Sequence, residues 1–325
     1  MPKLLFIRFS SIGDIVLTSH TIRNAKLQIA EVEIHFLTKE TFASILTANP
    51  YISRVFSIQQ TPAEVLPQLK AEKYDAIIDL HNNVRSWRVK KGLGIKSFSF
   101  NKLNIEKWML VNFKTNRLPD VHIVDRYLAT LAEYGVKDDG LGLDYFIPPG
   151  VEIEKGALPE THSNGYVAFV IGGSYNTKML PIEKAVSVCR KINKPVLLLG
   201  GPDDRQRGSE MVLRSGRHVW NACGLFTLHQ SALLVKNSAC VIAHDTGLMH
   251  IAAAFGKPVL SVWGNTVPEF GMYPYRPGIG SKKMEIKNLP CRPCSKLGFS
   301  KCPKKHFYCM ELQDTDEMAA WGNDI

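Results

Sequence analysis

The sequence predicts an α/β protein made of two doubly wound domains, each with a parallel sheet. Three observations predict it. Short apolar runs of strand length alternate with helical patterns along most of the chain. The alternation stops once, in a Pro-, Gly-, Glu- and Ser-containing stretch between residues 147 and 165, and then begins again. The strands are continuous apolar segments, as in a sheet covered on both faces. A chain of 325 residues is long enough for two cores, and the expected domains are 1–150 and 165–325, the second carrying a cysteine-containing tail.

In the first half, an apolar strand (4–9) leads into a small polar turn at Ser10, Ser11 and Gly13, and a helix begins near Asp14. Stretches 32–37, 54–58, 74–80 and 97–100 read as extended, with helices between them. Residues 120–134 pattern as an amphipathic helix with His122 and Arg126 on neighbouring turns. In the second half, strands are expected at 166–171, 196–199 and 218–222, and helices at 182–192, 204–213 and 228–235. A strand–turn–helix–strand unit over 239–263 follows, with Asp245 as the expected N-cap and Thr246 beside it. Two such halves are expected to bind a ligand in the cleft between them, at the carboxyl ends of their strands.

Composition narrows the function classes. Hydrophobic content of 45% and charged content of 22% describe a soluble globular protein. No apolar run approaches the ~18 residues of a membrane span. The run 4–9 is too short for a signal peptide and is broken by Arg8, so a cytoplasmic protein is expected. The net charge of +10 is concentrated: between His81 and Arg117 nine basic residues face one acid, with Trp87, Phe98, Phe100, Trp108 and Phe113 interleaved. That composition suits a polyanionic substrate, an anionic membrane surface or nucleic acid.

Several residues could carry chemistry. Asp14 follows a strand and a glycine turn, where a carboxylate can act as a general base; a helix-start Asp that only stabilises the dipole would read the same. The loop Gly172-Gly173-Ser174-Tyr175-Asn176-Thr177-Lys178 has phosphate-cradling logic without being a P-loop. Asp203, in Gly200-Gly201-Pro202-Asp203-Asp204, could hold a ribose hydroxyl or sit in an ordinary turn. Free N–H groups at the start of the helix after Asp245 suit an anion, and His250, one turn beyond Thr246, lies on the same face. Cys291, Cys294, Cys302 and Cys309 are spaced C-x2-C-x7-C-x6-C, compatible with zinc or with free thiols in a reducing compartment. The D-x-D at Asp314-Thr315-Asp316 lies in a polar tail and reads as a helix start.

Six segments taken together, RFSSIGDIVLT (8–18), DLHNNVRS (79–86), VHIVDRY (121–127), GGSYNTKMLP (172–181), LGGPDD (199–204) and HDTGLMHIAAAFGKP (244–258), resemble glycosyltransferase family 9. These are the ADP-heptose:lipopolysaccharide heptosyltransferases. The resemblance implies a GT-B fold, with the acceptor on the first domain and the nucleotide sugar on the second, and an inverting transfer that requires no metal or cofactor. It implies Asp14 as base, Lys178 and Ser174 on the diphosphate, and Asp245, Thr246, Gly247 and His250 as the donor block. Ser10, Ser11, Gly13, Asp203 and Phe226 are expected beside the donor, and Arg85, Arg88, His122 and Arg126 beside the acceptor. The implied partners are ADP-heptose, an inner-core lipopolysaccharide acceptor and the inner face of the inner membrane, with no nucleic acid. The chain departs from the family at His20 and at His81-Asn82-Asn83. Two other readings stand beside this one: a different nucleotide-sugar enzyme, and a basic zinc-containing nucleic-acid-binding protein.

Overall fold

The computed structural model describes residues 1–163 and 165–325. By packing they form two units, one of Met1–Lys102 with Val121–Pro149 and one of Leu103–Asp120 with Gly150–Ile325.

The first unit holds a five-stranded parallel sheet in the order β3-β2-β1-β4-β5. Its strands are β1 Lys3–Ile7, β2 Glu33–Lys39, β3 Arg54–Ile58, β4 Ala76–Asp79 and β5 Ser97–Ser99. β1 is central, with Leu5 in register with His35 on one side and Ile77 on the other. Leu4, Leu5, Phe6 and Ile7 are all fully buried. Each such side chain contributes about 1.5–3 kcal/mol over an exposed one, so the most apolar strand takes the middle. The chain winds outward from β1 to β3 and then returns to β4 on β1's other side. The topological switch therefore lies between β1 and β4, and the loops that leave those strands flank it.

The second unit repeats the logic with six parallel strands in the order β11-β10-β9-β6-β7-β8. They are β6 Val167–Val170, β7 Val196–Leu199, β8 Val219–Asn221, β9 Cys240–His244, β10 Val259–Trp263 and β11 Lys282–Glu285. The switch is between β6 and β9.

Several elements differ from expectation. The opening helix is two, Ile12–Val16 and Ser19–Gln28, parted where the Thr18 hydroxyl bonds back to the Ile15 carbonyl at 2.6 Å. The helix expected over 120–134 is α-helical only over Ile123–Leu128 and continues as a 3-10 helix to Tyr134. The segment Leu103–Asp120, expected within the first domain, packs with the second unit. Leu110 in its helix, Asn104–Phe113, clusters with Val267 and Phe270, and Lys114 donates to the carbonyls of Cys291 (3.3 Å) and Pro293 (2.6 Å). The tail supplies an unexpected strand, β11; its helix Thr315–Asp324 starts where expected, capped by Asp314, whose carboxylate accepts from the amides of Asp316 and Glu317.

Candidate active site

In the first unit the switch point gathers a charged cluster. Asp14 lies in the first turn of Ile12–Val16; its Oδ1 is 2.6 Å from Arg8 Nη2, and its Oδ2 accepts from the Ser11 amide (3.1 Å) and hydroxyl (2.9 Å). Arg8 also donates to the carbonyls of Ser10 (2.7 Å) and Leu80 (2.6 Å), tying the loop after β1 to the loop after β4. The Ser10–Ser11 peptide is cis. Burial pushes the Asp14 carboxyl up, but the Arg8 guanidinium and the Ser11 donors outweigh it and hold the group below the usual carboxylate range. Asp14 is thus an ionised carboxylate at neutral pH. Ser10, Ser11, Gly13 and Asp14 are brought together here.

Three neighbours escaped sequence reasoning as site residues. Arg8 looked only like a break in an apolar run. His81 follows β4, edge-on to Phe9 at 5.4 Å, and burial, reinforced by Arg8 and Lys102, drops it to about 3, so its imidazole is neutral. Asp79, fully buried at the end of β4, accepts from the amides of His81 (3.1 Å) and Asn82 (2.7 Å) and pairs with Lys90 at 2.9 Å. The D-L-H-N-N run after a strand was the available signal.

In the second unit the switch point is bridged by Lys178, which comes from the 3-10 turn Asn176–Lys178 after β6. Its Nζ lies 2.6 Å from Asp245 Oδ2 at the end of β9. The Thr266 hydroxyl reaches the same oxygen at 3.5 Å. This corrects the expected cap: Asp245 is drawn to Lys178, and the N-cap of Gly247–Ala254 is Thr246, which makes no side-chain cap bond. His244 Nε2 accepts from the Leu180 amide at 3.0 Å, and burial drops this imidazole to about 3. Lys178, Asp245, Thr246 and Gly247 are therefore assembled around one helix start, while Ser174 is exposed and His250 is buried.

The remaining candidates are placed as follows. Asp203 is exposed, and its neighbour Asp204 turns inward to accept from the Gly201 amide at 2.8 Å. A Cβ at Gly172 or Gly200 would meet the Asp204 carboxylate at 2.2 or 2.7 Å, so these glycines make room for a side chain. Phe226 is half-buried with its ring 6.4 Å from that of Trp220. On the helix Val84–Leu93, Arg85 is half-buried and Arg88 exposed. His122 is buried and caps its helix, its Nδ1 accepting from the Val124 amide at 3.1 Å; Arg126, also buried, donates to the Asn101 carbonyl at 3.2 Å.

The four tail cysteines carry free thiols, with Cys291 Sγ 3.8 Å from His306 Nε2. Among the described residues, the compact sets of possible metal ligands are His20, Asp138 and Asp139, and Glu33, His35 and Glu72. Neither contains a cysteine, and ion pairs from Arg23 and from Lys3 and Arg54 account for both. No helix among the described residues is long and apolar enough to cross a membrane.

The family model for glycosyltransferase family 9 (heptosyltransferase) matches residues 63–300. The chain belongs to glycosyltransferase family 9. It is a heptosyltransferase-like enzyme of the GT-B fold class, with one parallel sheet in each unit. Lipopolysaccharide heptosyltransferase 1 of Campylobacter coli is 23% identical over 81% of this chain and 84% of its own length. The Escherichia coli heptosyltransferase WaaC with ADP superposes with a TM-score of 0.64 at 20% identity, covering 86% of this chain and 92% of that one. The iron-containing dodecameric glycosyltransferase TibC of enterotoxigenic E. coli superposes with a TM-score of 0.59 at 13% identity, covering 98% and 76%. In this family 9 chain the matched region includes the Lys178–Asp245 pair and the basic stretch from His81.

Proposed function

We propose that this family 9 chain transfers a heptose from ADP-heptose to an inner-core lipopolysaccharide acceptor with inversion at the anomeric carbon. The observation that carries the reading is Lys178, an ammonium held by Asp245 beside the start of Gly247–Ala254 at the switch point of the second sheet. An ammonium and a helix N-terminus together neutralise a diphosphate. The ionised Asp14 at the switch point of the first sheet supplies the proton acceptor. In the proposed step the acceptor hydroxyl oxygen attacks the anomeric carbon opposite the leaving group and its proton passes to Asp14. The bond from anomeric carbon to phosphate oxygen breaks, and ADP leaves with the electron pair, stabilised by Lys178 and the helix amides. A weak base suffices, because the hydroxyl becomes strongly acidic only as the new C–O bond forms. Neutralisation by Lys178 leaves no step that calls for a divalent ion.

The decisive experiment incubates the pure protein, in EDTA, with ADP-heptose, UDP-sugars or GDP-sugars and an inner-core lipopolysaccharide precursor as acceptor. Heptosyl product from ADP-heptose alone is expected. Turnover only of another nucleotide sugar, or only with added metal, would overturn the corresponding part of the reading.

The basic stretch is assigned to the polyanionic acceptor and to the anionic cytoplasmic leaflet where it would be met. Supporting this in the first unit, Trp87 and Arg88 are exposed and Lys91 lies 5.2 Å over the Trp87 ring; the rest of the stretch, with Trp108, Phe113 and Arg117 exposed, belongs to the second unit. Lys90 and Lys96 are occupied by Asp79 and Glu133, so they are unsuitable probes. Each Lys or Arg near such a surface contributes on the order of 1 kcal/mol at ordinary salt. The double variant Arg88→Glu, Lys91→Glu, confined to the first unit, is expected to raise the KM for lipid acceptor and weaken binding to phosphatidylserine vesicles about 10-fold or more, with ADP affinity unchanged. Loss of RNA or DNA affinity with normal acceptor turnover would instead favour the nucleic-acid reading.

A further inference from the structure

The turn that carries Lys178 is held by the tail. Thr177 is almost fully buried, and three hydrogen bonds join it to one residue 122 positions later. Its amide and its hydroxyl both donate to the Phe299 carbonyl, at 3.2 and 3.1 Å, and the hydroxyl accepts from the Phe299 amide at 2.8 Å. Gly298, at a φ of +144°, lets the tail approach: a Cβ there would lie 2.5 Å from Tyr175 Cβ. From the other side Gly264 does the same, since its Cβ would lie 2.8 Å from the Thr177 carbonyl oxygen. Beyond Lys178 the next anchor is the Leu180 amide on His244.

We infer that Thr177 is a positioning residue for Lys178, fixed by Phe299 so that the ammonium stands where the leaving diphosphate needs it. The inference rests on the function proposed above. Physically, the loop from β6 to Ile182 has no regular ladder of its own, and without the Thr177 anchor its middle would sample many backbone states. A lysine carried on four rotatable bonds adds further freedom, and displacement of about 1 Å at a reacting centre costs on the order of 100-fold. The tail beyond β11 thereby becomes part of the donor site through its hold on the turn that carries Lys178.

The test is a double-mutant cycle read by calorimetry with ADP and by donor KM. Thr177→Val keeps the shape and removes the hydroxyl bonds; it is expected to weaken ADP binding about 10-fold, while Thr177→Ser stays within about twofold of wild type. In a Lys178→Ala background, Thr177→Val is expected to add less than about twofold, because the group it positions is gone. Gly298→Ala, which must displace the tail, is expected to follow Thr177→Val in both backgrounds and carries the comparison if Thr177→Val does not fold. An equal loss with and without Lys178, or no loss in either, overturns the inference. Wild-type protein that binds no ADP overturns the proposed function itself, so the two failures are distinguishable.

Discussion

Replacing Asp14 with Asn is expected to lower turnover at least about 100-fold while leaving ADP affinity within about twofold of wild type, because general-base catalysis is worth about 10²–10⁴ and the amide cannot take the proton. Asn keeps an oxygen for the Ser11 donors, so the local hydrogen bonding that places residue 14 survives largely intact. The pH dependence gives a second check. Arg8 and Ser11 hold the carboxyl below its ordinary range, so as pH falls from 7 the base form persists through that range and is lost only beneath it. The acid limb of kcat/KM due to this group is therefore expected at more acid pH than an ordinary carboxylate would give. Arg8→Met removes the charge while leaving the burial, and should move that limb upward. An Asn variant with most of the wild-type kcat would remove Asp14 from the mechanism.

Lys178→Ala is expected to raise the donor KM and lower kcat together, each by about 10- to 100-fold, since one charge meets the diphosphate both before and during departure. The substitution also leaves the Asp245 carboxylate, 2.6 Å from Nζ in the intact protein, without its ammonium and facing an incoming anion. Adding Asp245→Asn to Lys178→Ala should therefore recover part of the lost donor affinity, a sign that simple truncation of an exposed lysine would not produce. Calorimetry with ADP measures the recovery directly. Unchanged donor affinity in Lys178→Ala would place this lysine outside the site.

Much of the fold was legible because strands buried on both faces read as apolar runs; β1, β6 and β9 are visible in this way. β11 was not, since Lys282–Glu285 has a single buried side chain, Met284. The candidate site was legible where the sequence places polar groups just after a strand, as at Asp14 and in the loop ending at Lys178, both of which lie at switch points of their sheets. It was misread where a distant partner overrides a local preference. Asp245 has the residue type of an N-cap, yet a lysine 67 positions earlier draws it away and Thr246 takes the role. Arg8 shows the opposite failure: in sequence it interrupts an apolar strand, and only pairing with Asp14 reveals why a buried strand end carries a guanidinium. Association of Asn104–Phe113 with the second unit rests on Val267, Phe270 and the tail carbonyls, which no local pattern reports.

That association bears on how the protein can be divided. The backbone passes between the units three times, after Lys102, Asp120 and Pro149. A fragment severed at residue 150 would carry Leu110 without Val267 and Phe270, and its complement would lack the helix that covers them. Reassembly from two contiguous halves is therefore disfavoured at both broken faces. A chimaera built to exchange the unit that carries Lys178 and Asp245 needs three splice points, because that unit is the C-terminal half together with an eighteen-residue insert donated to it from between two stretches of the other unit.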